Sequence, residues 1–314
     1  MLYAGLLAGR PPASPPQTVP LPLIKVLYFL NGWSGASFGR FATLFYVAKH
    51  LSSKQIGYIE AAQPLARAVG NQIAGWMADS LQRKKVIALL ARCITTALLE
   101  SFLFKSIGCT GCFYPILATM MVMAFFSVGG GLLDSYTLDA LGEERQREYG
   151  KYRLWLAISW GVGNAVMGLV AEANFDNNFI TFGVMNGLSI LLMAMLLPAR
   201  TRDEIARVRE RSAAAENAGT GEANIAPGAT AVPQATLNRD SSFCEALCRW
   251  QVVVFLAEMT YFGVAASVVE KFLFIYLTNE LNAPYSLCGY SVAMTVLFEI
   301  PIFHYASPLL RTWL

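Results

Sequence analysis

Charged and polar side chains inside long apolar runs are the residues of this sequence best placed to do chemistry. Arg40 lies in one such run, and Glu60, Arg67 and Asn71 lie in the next. If these runs cross a membrane, a charge at the bilayer centre costs about 2.5 to 3.5 kcal/mol, so the charged group usually faces a cavity or a partner. Arg40 is therefore expected to meet either an anionic substrate or a carboxylate from another helix.

The second run places its polar residues on one side of the predicted helix. Glu60, Gln63, Arg67 and Asn71 follow one another at offsets of three, four and four residues, which puts all of them on one helical face. Such a face is unfavourable against lipid. We interpret it as the lining of a substrate path, and an interhelical polar seam that only holds the helices together is the alternative.

Two further residues of opposite charge lie at neighbouring ends of successive runs. Asp134 is near the end of the fourth run and Arg153 begins the fifth. The spacing predicts that they meet across the turn that joins the two helices. A gating role and a purely structural ion pair are both consistent with this pattern.

The last two runs each carry a carboxylate. Glu258 is the deeper one and is a candidate for proton coupling, because burial favours the neutral form of a carboxyl group. Glu299 lies two residues before Pro301, whose ring removes a backbone hydrogen bond and bends a helix. A carboxylate beside a bend suggests a moving part of the substrate pathway, and a purely structural kink, which is common in membrane spans, is the alternative.

The elements that must position these residues are predicted to be membrane-spanning helices. The chain has 314 residues, 55% of them hydrophobic and 14% charged, with a mean hydropathy of +0.45. A bilayer needs about 20 mostly apolar residues per helix. Runs of that kind lie near 22–48, 56–78, 86–106, 113–138, 153–172, 178–198, 250–277 and 286–306. Their apolar residues occupy all faces, which excludes a water-soluble helical bundle.

The loops between these runs predict the orientation and the division of the chain. Loops rich in Lys and Arg follow the second, fourth and sixth runs, so they and the amino terminus are predicted to be cytoplasmic. The predicted divisions are a disordered cytoplasmic tail, a six-helix transmembrane bundle, a disordered cytoplasmic linker and two helices of a second bundle. Their bounds are 1–20, 21–200, 201–246 and 247–314.

The loop after the second run contains Gly75, Asp79, Arg83 and Lys84. A small residue allows close helix approach, and the basic residues mark the inner side. This loop resembles the motif that follows the second helix in the major facilitator superfamily, although Ser80 and Gln82 stand where that family usually has Arg and Gly.

Other stretches resemble one branch of that superfamily, which includes phenylpropionate-permease-like bacterial proteins and animal major facilitator domain-containing proteins. They are LSSKQIGYIEAAQPLARAVG, LLDSYTLDALG, YGKYRLWLAISWG, VVEKFLFIYL and FEIPIF. The resemblance implies an all-α transporter with two bundles and twelve helices, so a chain with about eight spans is expected to be truncated in its second half.

The function predicted from these features is secondary active transport of a small solute by alternating access, with proton coupling as a hypothesis that rests on the membrane carboxylates. The alternatives are a non-transporting receptor-like or assembly protein, or a non-functional fragment. The partners expected are the solute and the lipid bilayer. Nucleic acid is not expected, because the net charge is only +3 and the basic residues form no continuous stripe.

Enzyme activity, cofactors and metals are not expected either. The chain has two histidines, which are predicted to lie at opposite depths. Gly129, Gly130 and Gly131 are followed by no Lys-Ser or Lys-Thr pair, so we attribute them to helix packing instead of a phosphate loop. Cys109 and Cys112 could form a disulfide in an outer loop, and two separate thiols are the favoured interpretation.

Overall fold

The computed structural model describes residues 19–104, 109–145, 148–219 and 248–313, and every regular element in these ranges is helical. The helices are α1 (Leu21–Phe38), α2 (Ala42–Ala48), α3 (Ser53–Leu81), α4 (Lys84–Glu100), a short 3-10 helix (Ser101–Leu103), α5 (Phe113–Phe126), α6 (Gly129–Arg145), α7 (Tyr149–Ala173), α8 (Asp176–Leu196), α9 (Arg202–Gly219), α10 (Trp250–Asn279) and α11 (Tyr285–Trp313).

Membrane-length helices dominate this fold. Within the described residues, five segments are long and apolar enough to cross a bilayer: Lys84–Leu103, Phe113–Gly142, Tyr149–Ala173, Asp176–Leu196 and Trp250–Asn279. They coincide with the third to seventh predicted runs. The other three predicted runs are also helical, over α1 with α2, over α3 and over α11. The prediction of an all-α membrane protein is confirmed.

Two of the predicted spans are interrupted. Residues 39–41 separate α1 from α2, and Ser127 and Val128 separate α5 from α6. At the second break the N–H of Ser127 donates to Ala124 (3.2 Å) and that of Val128 to Phe126 (2.8 Å). These short-range bonds interrupt the regular helical ladder. The three glycines that follow favour a break here, because each costs about 1 kcal/mol relative to alanine inside a helix.

The chain divides into two compact units, residues 1–208 with 284–314, and residues 209–283. In the first unit α1 packs against α7 and α8, α4 packs against α5, α6 and α8, and α3 packs against α5. α11 packs along α7 in the same unit. α11 belongs to the first unit and α10 to the second. The assignment of residues 247–314 to a second bundle stays a prediction.

Glycines explain why α11 packs so closely on α7. A Cβ atom on Gly168 of α7 would lie 2.6 Å from the carbonyl oxygen of Tyr285, and one on Gly161 would lie 2.9 Å from Val296 Cβ. The α11 end is also held by Glu172, whose carboxylate accepts hydrogen bonds from the Ser286 hydroxyl (2.9 Å) and N–H (3.2 Å). Small residues at helix contacts and polar bonds across them are the usual means of packing helices in a membrane.

The start of the predicted linker is helical. Thr201 precedes α9, and its hydroxyl accepts from the N–H of Glu204 (3.2 Å), while the Glu204 carboxylate accepts from the N–H of Thr201 (2.9 Å). This reciprocal pattern is a capping box, which stabilises a helix start. Residues 202–219 are thus helical where disorder was predicted. Residues 220–246 of that linker and residues 1–18 of the predicted tail lie outside the described residues.

Cys109 and Cys112 form a disulfide, with their Cα atoms 5.4 Å apart. The interpretation of the two residues as separate thiols is therefore wrong. Gly111 between them adopts a positive φ of 75°, a conformation that glycine takes at low cost. Its N–H donates to the carbonyl oxygen of Lys49 (2.8 Å). The turn that results brings the two cysteines together.

Replacing Gly32 by valine is expected to destabilise the first unit. A Cβ atom there would lie 2.5 Å from the carbonyl oxygen of Leu156 on α7, so α1 and α7 would have to separate. Overpacking of this kind costs roughly 1 to 3 kcal/mol. The melting temperature of the purified protein measures the effect. Gly187→Val is the matched control, because nothing lies within 4 Å of a Cβ on Gly187; equal losses in both variants would contradict the close approach.

Candidate functional site

The loop between α3 and α4 is joined to two other helices through Lys84. The Lys84 side chain is 5% exposed, and its Nζ donates to Asp139 Oδ2 on α6 (2.6 Å). The backbone N–H of Lys84 donates to Glu204 Oε1 on α9 (2.8 Å). Asp139 also accepts from the Thr201 hydroxyl (3.3 Å). We call this group of four residues, Lys84, Asp139, Thr201 and Glu204, the basic-loop network.

The other residues of the motif, Gly75, Asp79 and Arg83, make fewer contacts with other helices than Lys84 does. A Cβ on Gly75 would have nothing within 4 Å, so the close helix approach predicted for this residue is absent from the described residues. The carbonyl oxygen of Asp79 accepts from the Gln82 side chain, which lies at the end of α3 in the left-handed conformation with φ of 49°. Arg83 is exposed and immediately precedes α4. Lys84 is thus the motif residue with the most extensive buried contacts.

Asp134 of α6 and Arg153 of α7 form the ion pair that their spacing predicted. Arg153 Nη1 lies 2.8 Å from Asp134 Oδ2, and the two side chains are 54% and 27% exposed. The Tyr28 hydroxyl on α1 donates to Asp134 Oδ1 (2.7 Å), and Arg153 also donates to the Tyr149 hydroxyl (2.8 Å). The pair therefore ties three spans together while it remains partly open to its surroundings.

A second charged group was missed by the sequence analysis. Arg92 lies at the middle of the 17-residue helix α4 and is 4% exposed. Its Nη1 donates to Asn186 Oδ1 on α8 (3.0 Å), and its Nη2 donates to Asn31 Oδ1 on α1 (2.8 Å). Nε has no hydrogen-bond partner in the described part of the chain. Both partners are neutral amides, and no carboxylate of the described residues forms an ion pair with Arg92.

The polar face of α3 changes from buried to exposed along the helix. Glu60 and Gln63 are 8% and 6% exposed, and Gln63 Nε2 donates to Glu60 Oε1 (3.2 Å). Arg67 and Asn71, one and two turns further along, are exposed. The predicted face is present, and its two halves have different surroundings.

The remaining candidates lie in separate places. Arg40 is partly buried in the turn between α1 and α2, where the sequence analysis expected a continuous helix. Glu299 is exposed on α11, which continues as a helix through Pro301. Glu258 is exposed on α10 and belongs to the second unit. Their roles in a substrate pathway stay predictions.

A signal for Arg92 was present in the sequence. It is the single charged residue between Lys85 and Glu100, inside an apolar run. What the sequence could not supply was its contacts, because Asn31 and Asn186 are separated from it by 61 and 94 residues. Within the described residues no group of three or more His, Cys, Asp or Glu side chains has the arrangement of a metal site.

Comparison with known proteins adds to this geometry. Residues 21–313 match the MFS_1 like family, over a stretch that begins with α1 and ends with α11. No curated protein and no solved structure matches the chain. Because the family match covers nearly the whole sequence and the structure consists of membrane-length helices, this chain is a multi-pass membrane protein that belongs to the MFS_1 like family, a relationship that points to a transporter.

Proposed function

We propose that this protein is a secondary active transporter that moves a small solute by alternating access, with the Asp134–Arg153 ion pair as part of its gate. The observation that carries the proposal is the pair itself. It connects neighbouring spans, it accepts a hydrogen bond from a third span through Tyr28, and it is partly exposed. An ion pair between membrane helices that is neither fully buried nor fully hydrated can break and re-form at modest cost.

The exposed residues of α3 support the same function. Arg67 and Asn71 occupy one face of a helix of 29 residues, which is long enough to cross a bilayer. A guanidinium in the interior of such a helix is costly against lipid, and its usual surroundings are a water-filled cavity or a partner. A hydrated path beside α3 is what a carrier needs. Proton coupling stays a prediction that rests on the membrane carboxylates, with Glu258 as the candidate coupling group.

The alternative is a membrane protein that binds a partner and does not transport. The two functions differ in whether one position becomes accessible to water from both sides of the membrane. Gly131 is a suitable reporter, because it is exposed on α6, three residues before Asp134, and nothing lies within 4 Å of an added Cβ. Its replacement by cysteine should therefore leave the packing unchanged.

The test labels Gly131→Cys with a membrane-impermeant maleimide in the full chain, after the four cysteines outside the 109–112 disulfide have been replaced by serine. We expect reaction from both sides, in right-side-out and in inverted vesicles. Gly187→Cys, exposed on the apolar helix α8, should react from neither side. Reaction of Gly131→Cys from one side alone would favour the non-transporting alternative. Counterflow of labelled small solutes in proteoliposomes then identifies the cargo.

A further inference from the structure

The guanidinium of Arg92 lies beside the glycine-rich start of α6, and one of its nitrogens has no hydrogen-bond partner in the described residues. A Cβ built on Gly129, the first residue of α6, would lie 3.2 Å from Arg92 Nε, the one guanidinium nitrogen with no partner in the described residues. The first N–H groups of a helix have no acceptor inside that helix, and the helix dipole adds partial positive charge there. The start of α6 and the free edge of Arg92 therefore meet at one point.

An amide of α1 completes this group. Asn31 accepts from Arg92 through its oxygen, and its Nδ2 lies 3.7 Å from the Cβ position of Gly130. The amide nitrogen is a donor, so it adds to the positive character of the same space. Three elements of the first unit, α1, α4 and α6, thus bring donor groups close to the glycine-rich start of α6.

The buried positive charge of Arg92 has no negative partner among the described residues. The Arg92 side chain is only 4% exposed. It lies at the middle of a membrane span, and its two hydrogen-bond partners are neutral. Burial of a guanidinium without a counter-charge is unfavourable in free energy. An anion within hydrogen-bond distance of the guanidinium makes the burial favourable. A helix start is a common anion-binding element for the same reason.

We propose that Arg92, Asn31 and the start of α6 at Gly129 and Gly130 form a binding site for a compact monoanion, such as the carboxylate group of a transported solute or a chloride ion. Glycine is needed at position 129, because a side chain there would occupy the space beside Nε. Gly130 and Asn31 are partly exposed, so they form the open side of the site, and Arg92 forms its buried side.

The position of the site relative to the ion pair supports a role in transport. Tyr28 precedes Asn31 by three residues on α1, and Asp134 follows Gly130 by four residues on α6. The Asp134–Arg153 pair therefore lies about one helical turn, roughly 5 Å, from the site. It lies towards the end of the bundle where Lys84 meets Asp139. The inference depends on the proposed transport function only for the statement that the anion is cargo.

The test measures the melting temperature of the purified full chain in acetate, in lactate and in chloride, with the bulky sulfonate HEPES keeping ionic strength constant. A ligand at about 100 times its Kd is expected to raise the melting temperature by about 5 °C. Arg207→Gln, which removes an exposed charge from α9, is the control and should keep the shift. Equal melting temperatures in all these anions would overturn the site and assign Arg92 Nε to water.

Two variants make the result specific. Arg92→Gln should lose the shift, but it also removes two hydrogen bonds. Asn31→Asp is the sharper variant, because it places a carboxylate beside Nη2 and supplies the counter-charge from the chain. It should melt above the wild type in the absence of compact anions and should no longer respond to them. A full anion response in Asn31→Asp would contradict the proposal.

The outcomes separate this inference from the proposed function. An anion shift with one-sided labelling of Gly131→Cys would overturn transport and support the binding site. Two-sided labelling without any anion shift would overturn the site and leave the transporter. If the site binds a carboxylate that also shows counterflow, the cargo is an organic anion; if chloride alone gives the shift, the site holds a resident ion.

Discussion

Replacing Asp139 by asparagine is expected to lower the free energy of unfolding by about 3 to 5 kcal/mol. The reason is that the Lys84 ammonium, 5% exposed and 2.6 Å from Asp139 Oδ2, would remain buried without its counter-charge. Removal of one partner of a buried ion pair has a cost of this size, even where the pair itself contributes little relative to apolar residues. Among the described residues, Lys84–Asp139 is the one ion pair that joins α4 to α6, and the variant removes it.

The measurement is equilibrium unfolding of the purified protein in denaturing detergent. Glu210→Gln is the control, because Glu210 is an exposed carboxylate on α9, and the variant should change stability by less than about 0.5 kcal/mol. A double variant, Lys84→Met with Asp139→Leu, should recover most of the loss, since neither member of the pair then leaves a charge without its partner. A loss below about 1 kcal/mol in Asp139→Asn would show that water or another group already satisfies Lys84.

Replacing Asp134 by asparagine is expected to increase labelling of Gly131→Cys from the side of the membrane that carries the basic loops by about fivefold. In the proposed transport cycle, the variant removes the charge that holds Arg153, and the conformation open to that side is expected to become more populated. Arg153 is half exposed, and a pair of that kind contributes at most about 1 kcal/mol, which corresponds to this factor. Labelling from the opposite side should fall, because the two conformations compete.

Glu148→Gln provides the comparison for this experiment. Glu148 accepts from Arg145 (2.6 and 2.9 Å) in the exposed connection between α6 and α7, and the Arg145 guanidinium holds the pKa of that carboxyl below its usual range. The variant breaks an ion pair in the same connection without touching Asp134. It should leave labelling unchanged from both sides. If both variants change labelling equally, the effect comes from the connection between the helices and not from a gate.

Several parts of the fold and the site were predictable because they depend on local sequence. Apolar run length predicted the helices. The places of Asp134 near the end of one run and of Arg153 at the start of the next predicted their contact. Other features depend on contacts between distant segments. Asp139, near the end of the fourth run, gave no sequence signal for its partner, because Lys84 lies 55 residues earlier. Arg92 and its two amide partners come from three separate spans.

The errors have specific physical causes. Arg40 and the glycines at 129–131 were assigned to continuous helices, because hydropathy detects an apolar run whether or not its backbone is interrupted. The Cys109–Cys112 disulfide was disfavoured, because the turn at Gly111 that brings the cysteines together leaves little trace in composition. The helix at 202–219 was missed for a similar reason. Its start depends on the capping box of Thr201 and Glu204. Its sequence is too polar for apolar residues to recur at helical spacing, so the pattern that predicts a helix is missing.

Glu204 links the starts of two helices that are far apart in the sequence. Its two carboxylate oxygens serve two helix starts, since Oε1 accepts from the N–H of Lys84 at the start of α4 and Oε2 accepts from the N–H of Thr201 before α9. The carboxylate is fully buried, so neither bond is readily replaced by water. Fraying of α9 would therefore release the first amide of α4 at the same moment. Amide protons at two points 117 residues apart in the sequence should thus become exchangeable through one shared opening event.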